Sequence, residues 1–229
     1  MNVFNAVKKC IKTALSYAFK CILYTVLLSI GWVFIYKFTP VPYTPLMAIR
    51  YSQNTQIVTV SHQWVPLKAF SKHLIAAVVS SEDQQFFDHW GFDFAAIQLA
   101  IRTTIGGRKL RGASTISQQT AKNVFLWPQR SWVRKGLEVW FTLLIEGIWG
   151  KQRILEVYLN SIEMGTGVFG AQAAAEYWFN KSAKNLSANE AALIAAILPN
   201  PRLYKAKPYS AYINRRRLWI RNQMRNYPF

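Results

Sequence analysis

The chain contains few acidic residues. Of its 229 residues, ten are Asp or Glu and 28 are Lys or Arg, which gives a formal net charge of +18. The part before residue 40 holds five lysines and no acid, so the remainder still carries 23 basic residues against ten acidic ones. This excess predicts an anionic partner, namely nucleic acid, an anionic membrane surface or a phosphorylated substrate.

Cysteine is also nearly absent, and both cysteines, Cys10 and Cys21, precede residue 40. The main body therefore has no disulfide, no thiolate metal site and no cysteine nucleophile. The chain also lacks an internal repeat, a low-complexity tract and any alternation of strand and helix patterns that would predict a parallel sheet. These absences favour a mainly α-helical protein.

One long apolar run is present near the N-terminus. Residues 21–36 carry no charge, and together with 14–20 they form a 23-residue stretch whose one charged residue is Lys20. About 20 such residues cross a bilayer as a helix. Three lysines at positions 8, 9 and 12 precede the run, so the positive-inside bias places the N-terminus in the cytoplasm. A cleaved signal peptide is the alternative, but no small-x-small cleavage site follows the run.

These features predict four segments. They are a cytoplasmic basic N-terminus (1–13), a transmembrane helix (14–38), a linker and membrane-proximal segment (39–66), and a main domain that ends in a basic helix (67–229). Within the body, hydrophobic periodicity and capping residues predict a series of helices. The helices are expected from 67 to just before 82, over 94–105, from 114 or 115, and over 131–149, 153–161, 171–179 and 187–198. A short strand is predicted over 56–60, a flexible basic loop over 106–112 and a turn-rich segment at the glycines of 165–170.

Four of the ten acids lie within twelve residues, at positions 82, 83, 88 and 93. Their mutual repulsion, and burial beside Phe86 and Phe87, would raise the pKa of at least one carboxyl group. Glu82 is expected just after the C-terminal turn of a helix, where the helix dipole disfavours a negative charge. A carboxyl group with a raised pKa suits general acid/base chemistry at neutral pH. The alternative is a turn with acidic caps and a buried phenylalanine pair.

Four motifs follow one another along the chain. Residues 82–93 fit E-D-x-x-F-x-x-H-x-G-x-D at every fixed position, and residues 112–119 fit G-x-S-T-x-T-Q-Q with Ser117 in place of the last threonine. Residues 134–138 fit R-K-x-x-E, and I-L-E-V-Y-L-N at 154–160 leads into the glycines. In this order the motifs resemble the family 51 glycosyltransferases, the peptidoglycan polymerases, over about residues 67–205. No serine is followed by lysine three positions later, so the chain resembles the single-domain members rather than the two-domain penicillin-binding proteins.

The resemblance implies a lysozyme-like helical glycosyltransferase domain that acts on lipid II. The 4-hydroxyl of an acceptor sugar would attack the anomeric carbon of the lipid-linked growing strand, form a β-1,4 bond and release undecaprenyl diphosphate. The family assigns the general base to the first Glu of the first motif, here Glu82. Glu138 would be a second catalytic carboxylate at the donor's anomeric centre or its diphosphate, or else a structural partner of Arg134.

The resemblance also implies the substrate-binding residues. Lys122, Arg130 and Arg134 would contact the donor diphosphate, with Lys135 nearby. Further binding residues are Asp83, Ser114, Gln118, Gln119 and Asn123, for which helix capping and packing are the alternatives. A divalent cation, Mg²⁺ or Mn²⁺, is left open, with Asp83 or Glu138 as its ligand. The C-terminal arginines are expected to face anionic lipid rather than substrate.

The implied location is the inner membrane of a Gram-negative-type cell, with a single span and a periplasmic catalytic domain. The expected partners are lipid II, the nascent glycan strand, membrane lipids and cell-wall proteins of division or elongation, with no nucleic acid. Residues 125–128 and Trp132 would form either a membrane-contacting aromatic patch or part of the core. The alternative functions are a lytic transglycosylase or muramidase, since a lysozyme-like fold with one Glu serves both reactions, a non-catalytic membrane adaptor and a nucleic-acid binder.

Overall fold

The computed structural model describes residues 3–53, 61–105 and 114–227. Contacts divide the chain into two units, Met1–Thr39 and Pro40–Phe229. The first unit holds α1 (Val3–Phe38), which begins eleven residues before the predicted span. Its segment Lys8–Phe38 is long and apolar enough to cross a membrane. Large apolar side chains such as Leu15, Phe19 and Leu28 are exposed along it, which fits a membrane anchor.

The second unit is built mainly from helices, as the sequence predicts. Those described are α2 (Pro45–Gln53), α3 (Lys72–Glu82), α4 (Phe94–Ile105), α5 (Ile116–Phe125), α6 (Trp132–Ile148), α7 (Lys151–Ser161), α8 (Ala171–Phe179), α9 (Ala188–Ile197) and α10 (Ala211–Gln223). Helix α3 packs against α9 and α10, and α5 packs against α6 and α7. Helix α9 is buried on all sides from residue 191 to 197, so it forms the centre of the core around which the outer helices pack.

The predicted helix starts are correct where a cap marks them. The capping boxes of α5 (Thr115 with Gln118) and α9 (Ser187 with Glu190) are both present. Helix α3 begins at residue 72 rather than 67, because residues 67–69 form a 3-10 turn and Ser71 then caps the α-helix. Glu82 is the last residue of this helix rather than the residue after it.

Helix α2 was not predicted from the sequence. Thr44 precedes it and accepts a hydrogen bond from the Met47 N–H at 3.2 Å, and Pro45 occupies the first helical position, where proline is tolerated. The side chain of Met47 is fully buried. Nine residues with one deeply buried apolar side chain give too weak a periodic signal to predict a helix.

A small three-stranded sheet is the second unpredicted element. It contains β1 (Ser61–His62), β2 (Glu163–Gly165) and β3 (Val168–Phe169), with β3 in the middle, parallel to β1 and antiparallel to β2. Gly170 follows with φ of +80°, and a Cβ there would lie 2.7 Å from the carbonyl oxygen of Asn160. The predicted strand at 56–60 and basic loop at 106–112 lie outside the described residues.

Candidate active site

Glu82 lies at the C-terminal end of α3 with its side chain 11% exposed. One carboxylate oxygen, Oε2, accepts a hydrogen bond from Gln119 Nε2 at 3.0 Å. The other, Oε1, accepts from the Ser81 hydroxyl at 3.2 Å and lies 3.9 Å from the Arg216 guanidinium. Burial raises the pKa of Glu82, and the Gln119 hydrogen bond and the Arg216 charge oppose that rise. The predicted direction of the shift is confirmed, and burial is its main cause.

Asp83, the next residue, has different surroundings. Its carboxylate accepts from His89 Nε2 at 2.9 Å and from the backbone N–H of Ile116 at 2.9 Å. The N–H of Gly91 donates to His89 Nδ1 at 3.1 Å, which places the proton of a neutral imidazole on Nε2, facing Asp83. Burial also raises the pKa of Asp83, against the His89 hydrogen bond. Asp83 therefore ties the first motif to the start of α5.

Gly91 of the same motif is required by its backbone and by its neighbours. Its φ is +77°, and a Cβ there would lie 2.7 Å from Thr142 Cγ2 and 3.0 Å from Glu146 Cγ. Glu146 is a buried carboxylate that the sequence analysis did not select. It accepts from the Ser117 hydroxyl at 2.5 Å and from Lys151 Nζ at 2.7 Å. These contacts join Gly91 of the first motif to α5, α6 and α7.

Gln119 joins Glu82 to a buried tyrosine. The hydroxyl of Tyr158 donates to Gln119 Oε1 at 3.2 Å, which leaves the amide NH₂ of Gln119 directed at Glu82. Burial raises the pKa of Tyr158 well above its ordinary value, so the phenol keeps its proton and stays a donor. Tyr158 stands in the I-L-E-V-Y-L-N motif but was not selected as a site residue, because helical spacing alone predicts only a core aromatic there.

An open cavity of 440 Å³ borders three of the four clustered acids, Glu82, Asp83 and Asp93. Its lining includes Ser81, Glu82, Asp83, Asp93, Ser114 and Trp219. A larger cavity of 810 Å³ is lined near the first turn of α3 by Lys72, Lys184 and Arg225, and none of the predicted site residues borders it. Because Glu82 and Asp83, two neighbouring carboxyl groups whose pKa values burial raises, border the smaller cavity, we assign the candidate active site there.

The remaining predicted polar residues, Ser114, Gln118 and Asn123, each have different surroundings. Ser114 is exposed and faces the 440 Å³ cavity. Gln118 is buried, and its Oε1 accepts from the Thr115 N–H at 3.1 Å, so this oxygen caps α5. Asn123 is buried beside Lys122, and both border a separate cavity of 190 Å³.

A cluster of cations surrounds Glu138. Its two carboxylate oxygens lie 2.6 Å from Arg134 Nη1 and 2.5 Å from Lys135 Nζ. The ion pair that the spacing of Arg134 and Glu138 allows is therefore formed. Lys122 lies in the same electrostatic environment: burial lowers its pKa, Glu138 opposes this, and Arg134, Lys135 and the exposed Arg130 add to it. The structure thus brings all four predicted cations together.

Helix α5 carries residues of both the Glu82 site and the cation cluster around Glu138. Gln119 and Lys122 are three residues apart on it, a spacing that puts their Cβ atoms about 5–6 Å apart on one face.

Arg50 of α2 also borders the 190 Å³ cavity beside Lys122 and forms an ion pair with Glu163 at 3.4 Å. Sequence reasoning missed this cation because it did not predict α2.

The carboxylates proposed as metal ligands already have hydrogen-bond or ion-pair partners in the structure. Among residues 3–53, 61–105 and 114–227, no group of three or more His, Cys, Asp or Glu side chains is placed to hold a metal ion. The oxygens of Asp83 accept from His89 and Ile116, and those of Glu138 face two cationic side chains. Mg²⁺ is commonly bound through one or two carboxylates together with substrate phosphates rather than by a cage of protein ligands.

The aromatic segment 125–128 and Trp132 divide between core and surface. Phe125 and Leu126 are buried, whereas Trp127 is 37% exposed and Trp132 is 93% exposed. Trp132 opens α6, next to the exposed Val133 and one turn or less from the cations of the Glu138 cluster. Core burial is confirmed for the first pair, whereas the two tryptophans are exposed and their contact with a membrane stays a prediction.

Comparison with known proteins identifies the family. A family model described as "Transglycosylase" matches residues 51–225, a range that contains all four motifs. The chain belongs to the transglycosylase family. This confirms the predicted family and agrees with the mainly helical fold.

Relatives with established names extend over most of the chain. A protein of Stutzerimonas stutzeri (strain A1501) is 51% identical over 209 residues, which cover 90% of this chain and 86% of the relative. A protein of Bacteroides thetaiotaomicron is 52% identical over 222 residues, covering 95% and 89%. A protein of Shewanella amazonensis is 56% identical over 168 residues, covering 73% and 69%. Each of these relatives is named a biosynthetic peptidoglycan transglycosylase.

Proposed function

We propose that the protein is a peptidoglycan glycosyltransferase that lengthens glycan strands from lipid II. The observation that carries this proposal is the arrangement of the site: a buried Glu82 at the end of α3, with a raised pKa, borders an open cavity, and helix α5 carries both Gln119, which donates to Glu82, and Lys122 of the cation cluster. Membership of the transglycosylase family and the biosynthetic names of its relatives support glycan synthesis over cleavage.

The reaction is a single inverting displacement. The 4-hydroxyl oxygen of the acceptor lipid II attacks the anomeric carbon of the lipid-linked strand, and its proton passes to Glu82. The new C–O bond forms as the bond to the diphosphate oxygen breaks, and undecaprenyl diphosphate leaves with the bonding electron pair. The α linkage of the donor becomes a β-1,4 linkage, and no covalent enzyme intermediate is needed.

Glu82 is suited to the role of base because its proton affinity is raised by burial. A sugar hydroxyl is a weak nucleophile, so a base must take its proton as the new bond forms, and a base with a pKa nearer neutrality does so more effectively. The Tyr158 and Gln119 hydrogen bonds hold the carboxylate in one orientation. Ser114, across the same cavity, is available to bind a sugar or phosphate oxygen.

The cation cluster stabilises the leaving group. Lys122, Arg130 and Arg134 bind the diphosphate as its negative charge develops, which is the type of fixed electrostatic stabilisation that lowers a transition state. Lys135 lies at the edge of this site, and Asn123 lines it beside Lys122. Glu138 forms ion pairs with Arg134 and Lys135, and its negative charge offsets the repulsion between these neighbouring cations.

Membrane attachment brings this site to a membrane-bound substrate. Residues 14–38 would span the inner membrane with residues 1–13 in the cytoplasm, and 39–66 would lead to a periplasmic catalytic domain over 67–229. The exposed Trp127, Trp132 and Val133, next to basic side chains, have the composition of a surface that enters the headgroup region of the outer leaflet.

The decisive experiment is polymerisation of lipid II by the purified full chain in detergent, with product length measured by electrophoresis. We expect glycan strands and released undecaprenyl diphosphate, and a parallel reaction with a chelator measures whether a divalent cation is required. A parallel reaction receives polymeric peptidoglycan instead of lipid II. Shortening of that polymer, without growth from lipid II, would replace the proposal with the lytic alternative. Inertness toward both substrates would favour a membrane adaptor.

A further inference from the structure

The C-terminal helix α10 reaches the candidate base through one side chain. Arg216 Nη2 donates a hydrogen bond to the Ser81 hydroxyl at 3.1 Å, and it lies 3.9 Å from Glu82 Oε1. The prediction that the C-terminal arginines face lipid is therefore wrong for Arg216. Ser81 in turn is a donor to Glu82 Oε1 at 3.2 Å, so the guanidinium, the hydroxyl and the carboxylate form a chain.

The groups that face Glu82 from the other elements are neutral or negative. Gln119 of α5 and Tyr158 of α7 are uncharged, and Asp83, next in the chain, raises the pKa of Glu82. Asp93 borders the same cavity. Arg216 of α10 is the cation whose charge opposes the effect of burial at this carboxylate.

We propose that Arg216 is a positioning residue that keeps Glu82 ionised and correctly oriented, so that α10 forms part of the catalytic apparatus. The inference rests on the proposed role of Glu82 as the base. Burial alone increases the proton affinity of Glu82, and the protonated form cannot act as a base. A nearby positive charge counteracts this without removing the benefit of burial.

The distance between the two charges supports this role. At 3.9 Å, Arg216 does not form the short bidentate pair that would occupy the carboxylate oxygens. Glu82 Oε1 keeps a free lone pair with which to accept a proton from the substrate. Arg134 and Glu138, at 2.6 Å, form the opposite arrangement.

The neighbouring arginines of α10 provide a matched control. Arg217 and Arg221 both donate to Asn189 Oδ1 of α9, at 3.3 Å and 2.7 Å. Replacing Arg217 removes the same charge from the same helix but leaves the chain from α10 to Glu82 intact. A general loss of helix packing or of positive charge should therefore affect Arg217→Gln and Arg216→Gln alike.

The test is the pH dependence of lipid II polymerisation by full-length Arg216→Gln, Arg216→Lys and Arg217→Gln. We expect the acid limb of kcat for Arg216→Gln to move to higher pH, with a loss of about tenfold on that limb that disappears at higher pH where Glu82 is ionised in both proteins, because an opposite charge at this distance favours the ionised carboxylate by about tenfold or more. KM should change little. Arg216→Lys should restore part of the activity, and Arg217→Gln should keep the wild-type profile.

Titration of the ¹³C-labelled Glu82 carboxyl group by NMR provides a readout that does not depend on turnover. An upward shift in Arg216→Gln alone supports the inference, whereas an unchanged titration, or an equal loss of kcat at every pH, overturns it. If the wild-type chain failed to polymerise lipid II, the proposed function would fail. The carboxyl titration would then still decide whether Arg216 controls the ionisation of Glu82.

Discussion

Glu82 and Glu138 are chemically identical side chains with opposite surroundings. Both are nearly buried, with 11% and 5% of the side chain exposed. Glu82 accepts hydrogen bonds from two neutral donors, and its cation stays 3.9 Å away. Glu138 contacts two cations at 2.6 Å and 2.5 Å.

The neighbouring groups, neutral donors around Glu82 and cations around Glu138, suit the two carboxylates to different roles. A buried carboxylate with neutral donors binds a proton more tightly, which is what a general base needs. A buried carboxylate between two cations fixes those cations in space, which suits the binding of a diphosphate. Substitutions of the two carboxylates and of their partners should therefore differ in their effects on activity and stability.

The largest effect should come from Glu82→Gln, which keeps the shape of the side chain but cannot accept the proton. We expect polymerisation of lipid II to fall by about 10²-fold or more, the usual scale for removal of a general base. Near-normal turnover would refute the assignment of Glu82. The exposed Glu176→Gln is the matched control and should retain full activity.

The same variant should not lose stability. Because burial raises the pKa of Glu82, the folded protein holds that proton more tightly than the unfolded chain does. Ionisation of Glu82 therefore costs stability as the pH rises above the ordinary carboxyl range. At pH near 7.5, Glu82→Gln should unfold at or above the wild-type temperature in a calorimetric scan. A clearly lower temperature would mean that lost activity reflects damage to the fold.

Lys122→Ala should have the next largest effect, a loss on the order of 10²-fold, because it removes a fixed charge from the developing diphosphate. Donor use should suffer more than acceptor use when the two are supplied as separate substrates. Equal losses at both would argue against a contact with the diphosphate. Lys205→Ala, an exposed lysine outside both clusters, should behave as wild type.

A smaller loss of activity, about tenfold, is expected from Glu138→Gln, together with a structural effect that Glu82→Gln lacks. The change leaves Arg134 buried without its charge partner, so the free energy of unfolding should fall by about 1–3 kcal/mol. The half-exposed Lys135 should add little to this, because solvent screens its charge. Urea unfolding followed by circular dichroism would measure the difference. Equal stability of the Glu138 and Glu82 variants would erase the contrast between the two sites.

Tyr158→Phe should have the smallest effect. It removes the hydroxyl that orients Gln119, at 3.2 Å, but leaves the ring in the core. One neutral hydrogen bond is worth about 0.5–1.5 kcal/mol, so turnover should fall about two- to tenfold. Initial rates with lipid II measure this change. A loss as large as that of Glu82→Gln would show that Tyr158 takes a direct part in the chemistry.

Local signals predicted most of the helical framework. The starts of α5 and α9 follow from capping boxes within four residues, and α4 and α8 have the predicted bounds. The small sheet escaped prediction because β1 pairs with a strand more than 100 residues away. Helix α2 escaped it because nine residues carry too little periodicity, so Arg50 beside the Lys122 cavity was missed as well.

The sequence by itself determined the helical class, the acid cluster and the residues of the cation cluster, because caps, charge spacing and motif order are local properties of the chain. Tertiary structure decided that Glu82 is buried without a close cation, whereas the two cations that contact Glu138 lie one turn away on its own helix, as the local spacing allows. It also brought Arg216, 135 positions from Ser81, and Tyr158, 39 positions from Gln119, into the site. Desolvation and long-range hydrogen bonds depend on how distant segments pack, and the linear order of residues does not specify that packing directly.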